Sequence, residues 1–247
     1  KEKILGYLVG PFGVLALVAV VNQLMELYYT EAFYIDEIFG AGSYLIMSWV
    51  TKAVGIVAGI MIAYVVEHNV SSQGRVRPLI LIGCLLSAVS AFFMFYIPDM
   101  ANWAKLTWVY VFNILFNGFG STLLSLRTNL FTLCTRSQDD RNMVNLFEKA
   151  SSYLLVGTAV TLTVGSALYY TMLHGHPAKN WFLLVGTFAL LSVPLSLVHY
   201  YYTKERVTLE NSSALVEKET VKTVPIFTQV NALFSSKYWV MATMISV

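Results

Sequence analysis

The chain contains 247 residues, of which 57% are hydrophobic and 12% are charged, whereas about 25% of the residues of an ordinary soluble domain are charged. The formal net charge of +2 provides no basic surface for nucleic acid, and the apolar content excludes an intrinsically disordered chain. The apolar residues form long runs of the length that a bilayer requires, about 20 residues. The composition therefore predicts an all-α membrane protein.

Six apolar runs predict six transmembrane helices, at residues 7–29, 41–66, 78–97, 106–131, 143–173 and 181–202. Each run can cross hydrocarbon as a helix that rises about 1.5 Å per residue. The first run is too long for a signal peptide and lacks a small-residue cleavage site. A seventh run begins at Tyr238 and reaches Val247 after too few residues to span, so we expect the sequence to stop inside a further helix.

Three domains follow from this pattern: a six-helix bundle at residues 1–203, a cytoplasmic linker at 204–225, and residues 226–247. The linker is too hydrophilic to enter the membrane and too poor in large apolar residues to fold alone. After Pro225, apolar residues at helical spacing indicate an interfacial helix leading into the seventh span. The layout predicts the amino-terminal half of a twelve-helix transporter, whose partner is the missing carboxy-terminal six-helix half.

The distribution of basic residues predicts that the amino terminus is cytoplasmic, because lysine and arginine near span ends remain inside. Lys105 and Lys179 lie in the predicted outer loops. The basic residues on the predicted inner side are Lys1, Lys3, Arg75, Arg77, Arg136, Arg141, Lys204, Arg206, Lys218, Lys222 and Lys237. We therefore expect a multi-pass protein of the cell membrane.

Four short segments, in order over about 150 residues, resemble the glycoside-pentoside-hexuronide:cation symporters, the melibiose permease relatives within the major facilitator superfamily. They are residues 1–13 with Gly6, Gly10 and Gly13, residues 28–33 (YYTEAF), residues 74–78 (GRVRP) and residues 139–142 (DDRN). The resemblance implies a twelve-helix secondary transporter that moves a sugar or sugar-like solute with a cation by alternating access. It also implies that Lys149 occupies a substrate-facing position at which the family usually has arginine.

The sequence departs from this family at the acids that couple the cation. The family carries two aspartates one turn apart in the second span, and Gly55 and Gly59 stand at those positions here. The first span has Val14 and Leu15 in place of the family's buried acid, and the sugar-binding aspartates do not carry over. Coupling to a proton, coupling to a sodium ion, and uncoupled facilitation all remain open.

Two lysines are candidates for substrate binding. Lys52 lies about 18 Å from either end of its span, and an ionised group at the bilayer centre is unfavourable by about 2.5–3.5 kcal/mol unless it meets a partner or water. We expect Lys52 to face the central cavity, and the alternative is a stabilising pair with a neighbouring helix. Lys149 lies less than two turns inside the fifth span and faces either the cavity or the inner headgroups.

The remaining substrate-binding candidates are one acid and two amides. Glu26 is interpreted as the counter-ion of Lys52, as a proton-accepting site, or as a side chain that reaches the outer interface. Asn113 and Asn117 form a polar stripe that either packs helices together or binds sugar hydroxyls. The charges of Lys52, Lys149 and Glu26 sum to +1, which favours an anionic solute such as a uronide over a neutral sugar.

The predicted gate lies in the inner loops. Arg75 and Arg77 are expected to bond helix carbonyl ends and the acids Glu67, Asp139 and Asp140 while the outer side is open, and ordinary positive-inside charge is the alternative. For Arg127 the position favours a snorkelling or gate-forming arginine over a ligand.

No cofactor, metal or enzymatic activity is expected. His174 and His176 have no further metal ligand nearby in the sequence. Neither a catalytic arrangement nor a phosphate-binding glycine loop is present. The rival hypothesis from another class is a non-transporting scaffold or sensor that kept the fold.

Overall fold

The computed structural model describes residues 2–68, 73–158 and 177–206 and the single positions 160, 165, 228 and 235. Two compact units are present, Lys1–Glu210 and Asn211–Val247, and the following description concerns the first. All regular structure in its described residues is helical, and five of its helices have the length and hydropathy of membrane spans. The predicted all-α membrane fold is confirmed.

Seven helices make up the described part of this unit. Their bounds are α1 Glu2–Thr30, α2 Ile35–Phe39, α3 Ser43–His68, α4 Arg77–Phe95, α5 Asn102–Cys134, α6 Gln138–Ala150, which continues as a wider helix over Ser151–Val156, and α7 Pro177–Tyr202. Five predicted spans coincide with α1, α3, α4, α5 and α7. Of the fifth predicted span only the beginning, within α6, is described. Most of the predicted linker, the interfacial helix, the seventh span, His174 and His176 lie outside the described residues.

The centre of the bundle is α1, which packs along α7, and α7 packs in turn against α4. Small residues permit the first of these contacts: a Cβ atom at Gly10 would lie 2.6 Å from the Cα of His199, and one at Gly13 would lie 2.9 Å from the Cα of Ser192. Such close approach is typical of helix pairs inside membranes, where packing replaces the hydrophobic effect. The first and last helices are therefore held backbone to backbone.

The second predicted span, α3, is peripheral in the described bundle. Buried residues make up 17% of its most apolar window, against 56% for α1, and its main contact is with the middle of α5. There α5 widens into a π-helical segment, Ile114–Gly120, a distortion often found at functional positions. The face of α3 opposite α5 is left exposed, and Trp49 and Ile56 are on it.

Candidate functional site

A cavity of about 490 Å³ opens between α1, α5 and α6. Leu15 lies on the α1 side, while the other walls are mostly polar or charged. The lining residues from α5 and α6 are Arg127, Thr128, Phe131, Thr132, Arg141, Asn142, Asn145, Glu148, Lys149 and Ser152. Three of these groups are cationic and one is anionic, so the cavity carries positive charge.

A buried ion pair crosses this cavity from one helix to the other. The Arg127 guanidinium on α5 lies 3.6 Å from the Glu148 carboxylate on α6, and the two side chains are 13% and 9% exposed. Arg127 Nε also donates to the carbonyl oxygen of Leu124 at 3.2 Å. Arg127 therefore does not snorkel to the interface, because a carboxylate on the next helix stabilises its charge inside the bundle.

Lys149 lies in the same cavity but takes no part in that pair. Its Nζ lies 5.7 Å from the centroid of the Tyr153 ring, one turn further along the helix, and the side chain is exposed. Consecutive helical residues point about 100° apart, which is why Glu148 is turned towards α5 while its neighbour is exposed.

The predicted amide stripe lies where α1, α3 and α5 meet. Asn113 is 1% exposed; its Oδ1 accepts hydrogen bonds from Thr51 of α3 at 2.9 Å and from Asn117 at 3.3 Å. Both amide nitrogens lie 3.3–3.5 Å from the sulfur of Met25 on α1. In this conformation Asn113 joins three helices, and the less buried Asn117 continues the network.

Lys52 and Glu26 are not brought together. Lys52 is exposed on α3, with its Nζ 6.0 Å from the centroid of the Trp49 ring, and no carboxylate of the described residues lies within 4.0 Å of it. Glu26 is also exposed, and its carbonyl oxygen accepts a hydrogen bond from Thr30. The counter-ion interpretation of Glu26 is thus not realised in this conformation.

The predicted gate loop is held by an acid that sequence reasoning missed. Glu205, just beyond α7, is 0% exposed, and its carboxylate accepts hydrogen bonds of 2.6–2.9 Å from the backbone N–H groups of Arg75, Val76 and Arg77. These groups precede and begin α4, so the carboxylate also meets the positive end of that helix. Gly74, with φ at +109°, allows the approach, because a Cβ there would lie 2.6 Å from the Glu205 carboxyl carbon.

The Arg77 side chain joins the same loop to α7. It donates to the carbonyl oxygen of Tyr200 at 2.5 Å and to that of Gln73 at 3.1 Å, and its guanidinium lies 4.8 Å from the centroid of the Tyr200 ring. Tyr200 is within the last turn of α7, so a guanidinium here meets the negative end of that helix. The sequence predicts two kinds of partner for the gate loop, helix carbonyl ends and nearby acids, and Arg77 meets the first kind.

The acids predicted as partners of this loop lie elsewhere. Asp140 accepts a hydrogen bond of 2.6 Å from Lys3. The side chains of Asp139 and Glu67 are exposed, and their carboxylates form no ion pair with other described residues. Arg206 pairs with Glu2 at 2.5 Å, and this hydrogen bond raises the pKa of Arg206 above its usual value. Two ion pairs therefore tie the start of α1 to α6 and to the segment that follows α7.

Neither Glu148 nor Glu205 was singled out as a site residue, although the sequence offered a signal for one of them. Glu148 is an acid within a predicted span, which by itself marks a residue that needs a partner. Glu205 follows the sixth predicted span by three residues in a polar stretch, where an acid is ordinary. In the part of the chain that is described, no group of three or more His, Cys, Asp and Glu residues could hold a metal ion.

Comparison with known proteins shows what the chain is similar to. The profile of the family described as MFS/sugar transport protein matches residues 6–247. "Uncharacterized symporter YnaJ" of Bacillus subtilis is 25% identical over 92% of the chain and 47% of its own length. "Isoprimeverose transporter" of Lactiplantibacillus pentosus is 23% identical over 92% of the chain and 45% of its own length. The chain therefore spans about half the length of these relatives, and the resemblance found in its four segments is confirmed.

Proposed function

We propose, because the chain belongs to the MFS/sugar transport protein family, that the protein carrying it is a secondary transporter of a sugar or sugar-like solute. Transport proceeds by alternating access, in which the cavity opens to each side of the membrane in turn. The relatives named as a symporter and as a transporter support this class of activity. A multi-pass membrane location follows from the family and the five apolar helices, and we propose the cell membrane, with the amino terminus in the cytoplasm.

The observation that carries the proposal is the charged cavity between α1, α5 and α6. Its described walls come from three helices of one bundle, and the remaining half of the relatives' length would supply the opposite wall. An excess of cationic groups favours a solute with a carboxylate, because Arg and Lys bind carboxylates through charge-assisted hydrogen bonds. The proposed solute class is therefore a uronide or another sugar-derived anion, and a neutral glycoside is the runner-up.

The coupling mode has two candidates. Gly55 and Gly59 have only ordinary van der Waals neighbours on α5, and neither position offers an oxygen ligand for sodium, which favours an uncoupled facilitator. The buried Glu148 carboxylate beside the cavity favours proton coupling instead. We propose proton coupling, because buried acids that line a cavity and pair with a cation are typical of proton pathways in membrane proteins.

The test is solute uptake by the native protein in proteoliposomes. Methyl glucuronide and methyl glucoside form a matched pair of probes, because they differ mainly in the carboxylate. We expect uptake of the glucuronide that a proton gradient drives above equilibrium and that a sodium gradient does not. Equilibration without accumulation would support the facilitator, and absence of uptake of both probes would contradict the transport proposal and favour a scaffold or sensor.

A further inference from the structure

We propose that Arg127 and Glu148 form a switched carboxylate site: Arg127 binds the carboxylate of the solute, and Glu148 accepts the coupled proton that frees Arg127 to do so. The inference rests on the proposed transport function and names its solute class, its coupling ion and the two residues that link them. It begins from the geometry of the pair, whose side chains are 13% and 9% exposed and line the cavity.

The first observation is that the Arg127 guanidinium makes fewer hydrogen bonds than it has N–H donors. Its contact with Glu148, at 3.6 Å, is longer than a hydrogen bond. One of its terminal nitrogens is buried without a hydrogen-bond partner among the described residues. A guanidinium presents a planar fork that a carboxylate fits with two parallel hydrogen bonds. Arg127 thus retains one donor that the described residues leave unused, in a side chain that lines the cavity.

The second observation is that Glu148 differs from the other acids of the described spans. Glu26 and Glu67 are exposed, and Glu2 pairs with Arg206 at the start of α1, whereas Glu148 is buried and lines the cavity. Its described ionic partner is Arg127 alone. A buried carboxylate paired with one cation is stable in its charged form only while that cation remains beside it.

Charged and titratable side chains from α1, α4, α6 and α7 lie near the Arg127–Glu148 pair. The cations Arg141 and Lys149 share the cavity, and further titratable side chains near Arg127 are Cys84 of α4 and His199 of α7. The groups of α1 next to α6 are Glu2, Lys3 and Tyr7, which line a smaller adjacent cavity with Asp140, Cys134 and Arg206. Lys3 and Arg206 are neutralised in ion pairs, so the net attraction at the larger cavity is for an anion.

The coupling follows from competition between two carboxylates for one guanidinium. While Glu148 is ionised, it neutralises Arg127 and opposes the entry of a second anion. A proton from water on Glu148 removes its negative charge, and the Arg127 N–H groups then bind the solute carboxylate. On the other side of the membrane the proton returns to water, Glu148 re-forms the pair, and the solute is displaced. One proton and one carboxylate cross together, so the cycle moves no net charge.

The decisive experiment combines two variants with two modes of transport, in the native protein reconstituted in proteoliposomes. Glu148→Gln mimics the protonated acid, so we expect exchange of methyl glucuronide across the membrane to continue while accumulation driven by a proton gradient is lost. Arg127→Gln removes the cationic donor. We therefore expect the ratio of glucuronide affinity to glucoside affinity to fall roughly 10- to 100-fold, because the loss of a hydrogen bond to a charged group lowers affinity by about that factor.

The controls separate a binding role from a folding role. Asp99→Asn removes the carboxylate of an exposed ion pair with Lys105 and should leave both readouts at the wild-type level. The double variant Arg127→Gln and Glu148→Gln removes both charges together, which avoids leaving one buried charge alone. We expect it to exchange methyl glucoside and to show no proton-driven accumulation of either probe.

Three results would overturn the inference. They are proton-driven accumulation that persists in Glu148→Gln, an equal loss of affinity for both probes in Arg127→Gln, and wild-type protein that transports only methyl glucoside. The last result leaves the proposed transport function standing and removes the carboxylate site. Wild-type protein that transports neither probe refutes the transport function itself, and with it the inference that rests on it.

Discussion

Replacement of Glu205 by alanine should loosen the loop between α3 and α4. The carboxylate accepts three backbone hydrogen bonds of 2.6–2.9 Å in a fully buried position. Hydrogen bonds to a charged group contribute about 1.5–3 kcal/mol each, and a carboxylate at a helix N-terminus contributes about 0.3–1 kcal/mol. Because contributions that share one carboxylate are not additive, we expect the free energy of unfolding to fall by about 3–5 kcal/mol.

Two assays measure this effect. Unfolding in a denaturing detergent titration gives the change in stability, and limited trypsin digestion reports the loop itself, since cleavage after Arg75 requires the backbone there to open. We expect faster cleavage in Glu205→Ala and an intermediate effect in Glu205→Gln, which retains one acceptor oxygen. Asp99→Asn is the control, because an exposed ion pair contributes about 0–1 kcal/mol. Wild-type stability and wild-type cleavage in Glu205→Ala would refute the assignment of Glu205 as the residue that holds this loop.

Three further perturbations test other parts of the bundle. In Gly10→Ala the new Cβ would lie 2.6 Å from the Cα of His199, so α1 and α7 must separate, and we expect a loss of about 1–3 kcal/mol in the same unfolding assay; unchanged stability would argue against their contact. In Asn113→Ala the bond from Thr51 is lost, and a loss of about 0.6–1.7 kcal/mol is expected for an interhelical hydrogen bond in a membrane; a greater loss of solute affinity than of stability would favour direct sugar binding. In Glu26→Gln the pH profile of uptake should match wild type, because proton acceptance is assigned to Glu148; a shifted profile would restore Glu26 as the coupling acid.

The membrane spans could be predicted from sequence because the signal is local. A run of about 20 apolar residues is visible without knowledge of its neighbours, and the predicted run 181–202 ends at Tyr202, as α7 does. The helices α1 and α5 extend past the predicted runs, because polar residues continue the hydrogen-bonded backbone. The start of α5 at Asn102 is an example, four residues before the apolar run. Hydropathy gives the part of a helix that lies in hydrocarbon, and backbone bonding gives its full length.

The site was predictable only in part, because its interactions join distant positions. Lys149 and the Asn113 stripe could be found, since ionisable and amide side chains are rare inside spans. The partners of Arg127 and of the loop at Arg75 could not be read from spacing, because Glu148 belongs to another helix and Glu205 is 130 residues away from Arg75. The helical period explains why Glu148 and Lys149 differ in exposure, yet the packing of α5 on α6 decides which of them is paired.

The measurement that tests the central claim most directly is solute protection inside the cavity. Ser152 lines the cavity and Leu190 is exposed on α7, so Ser152→Cys and the control Leu190→Cys are compared in the native protein after its own cysteines, Cys84 and Cys134 among them, have been replaced by alanine. We expect a membrane-impermeant maleimide to label Ser152→Cys, and saturating methyl glucuronide to slow this labelling while methyl glucoside does so less. Labelling of Ser152→Cys at the same rate with and without the glucuronide would contradict the claim that the solute passes through this cavity.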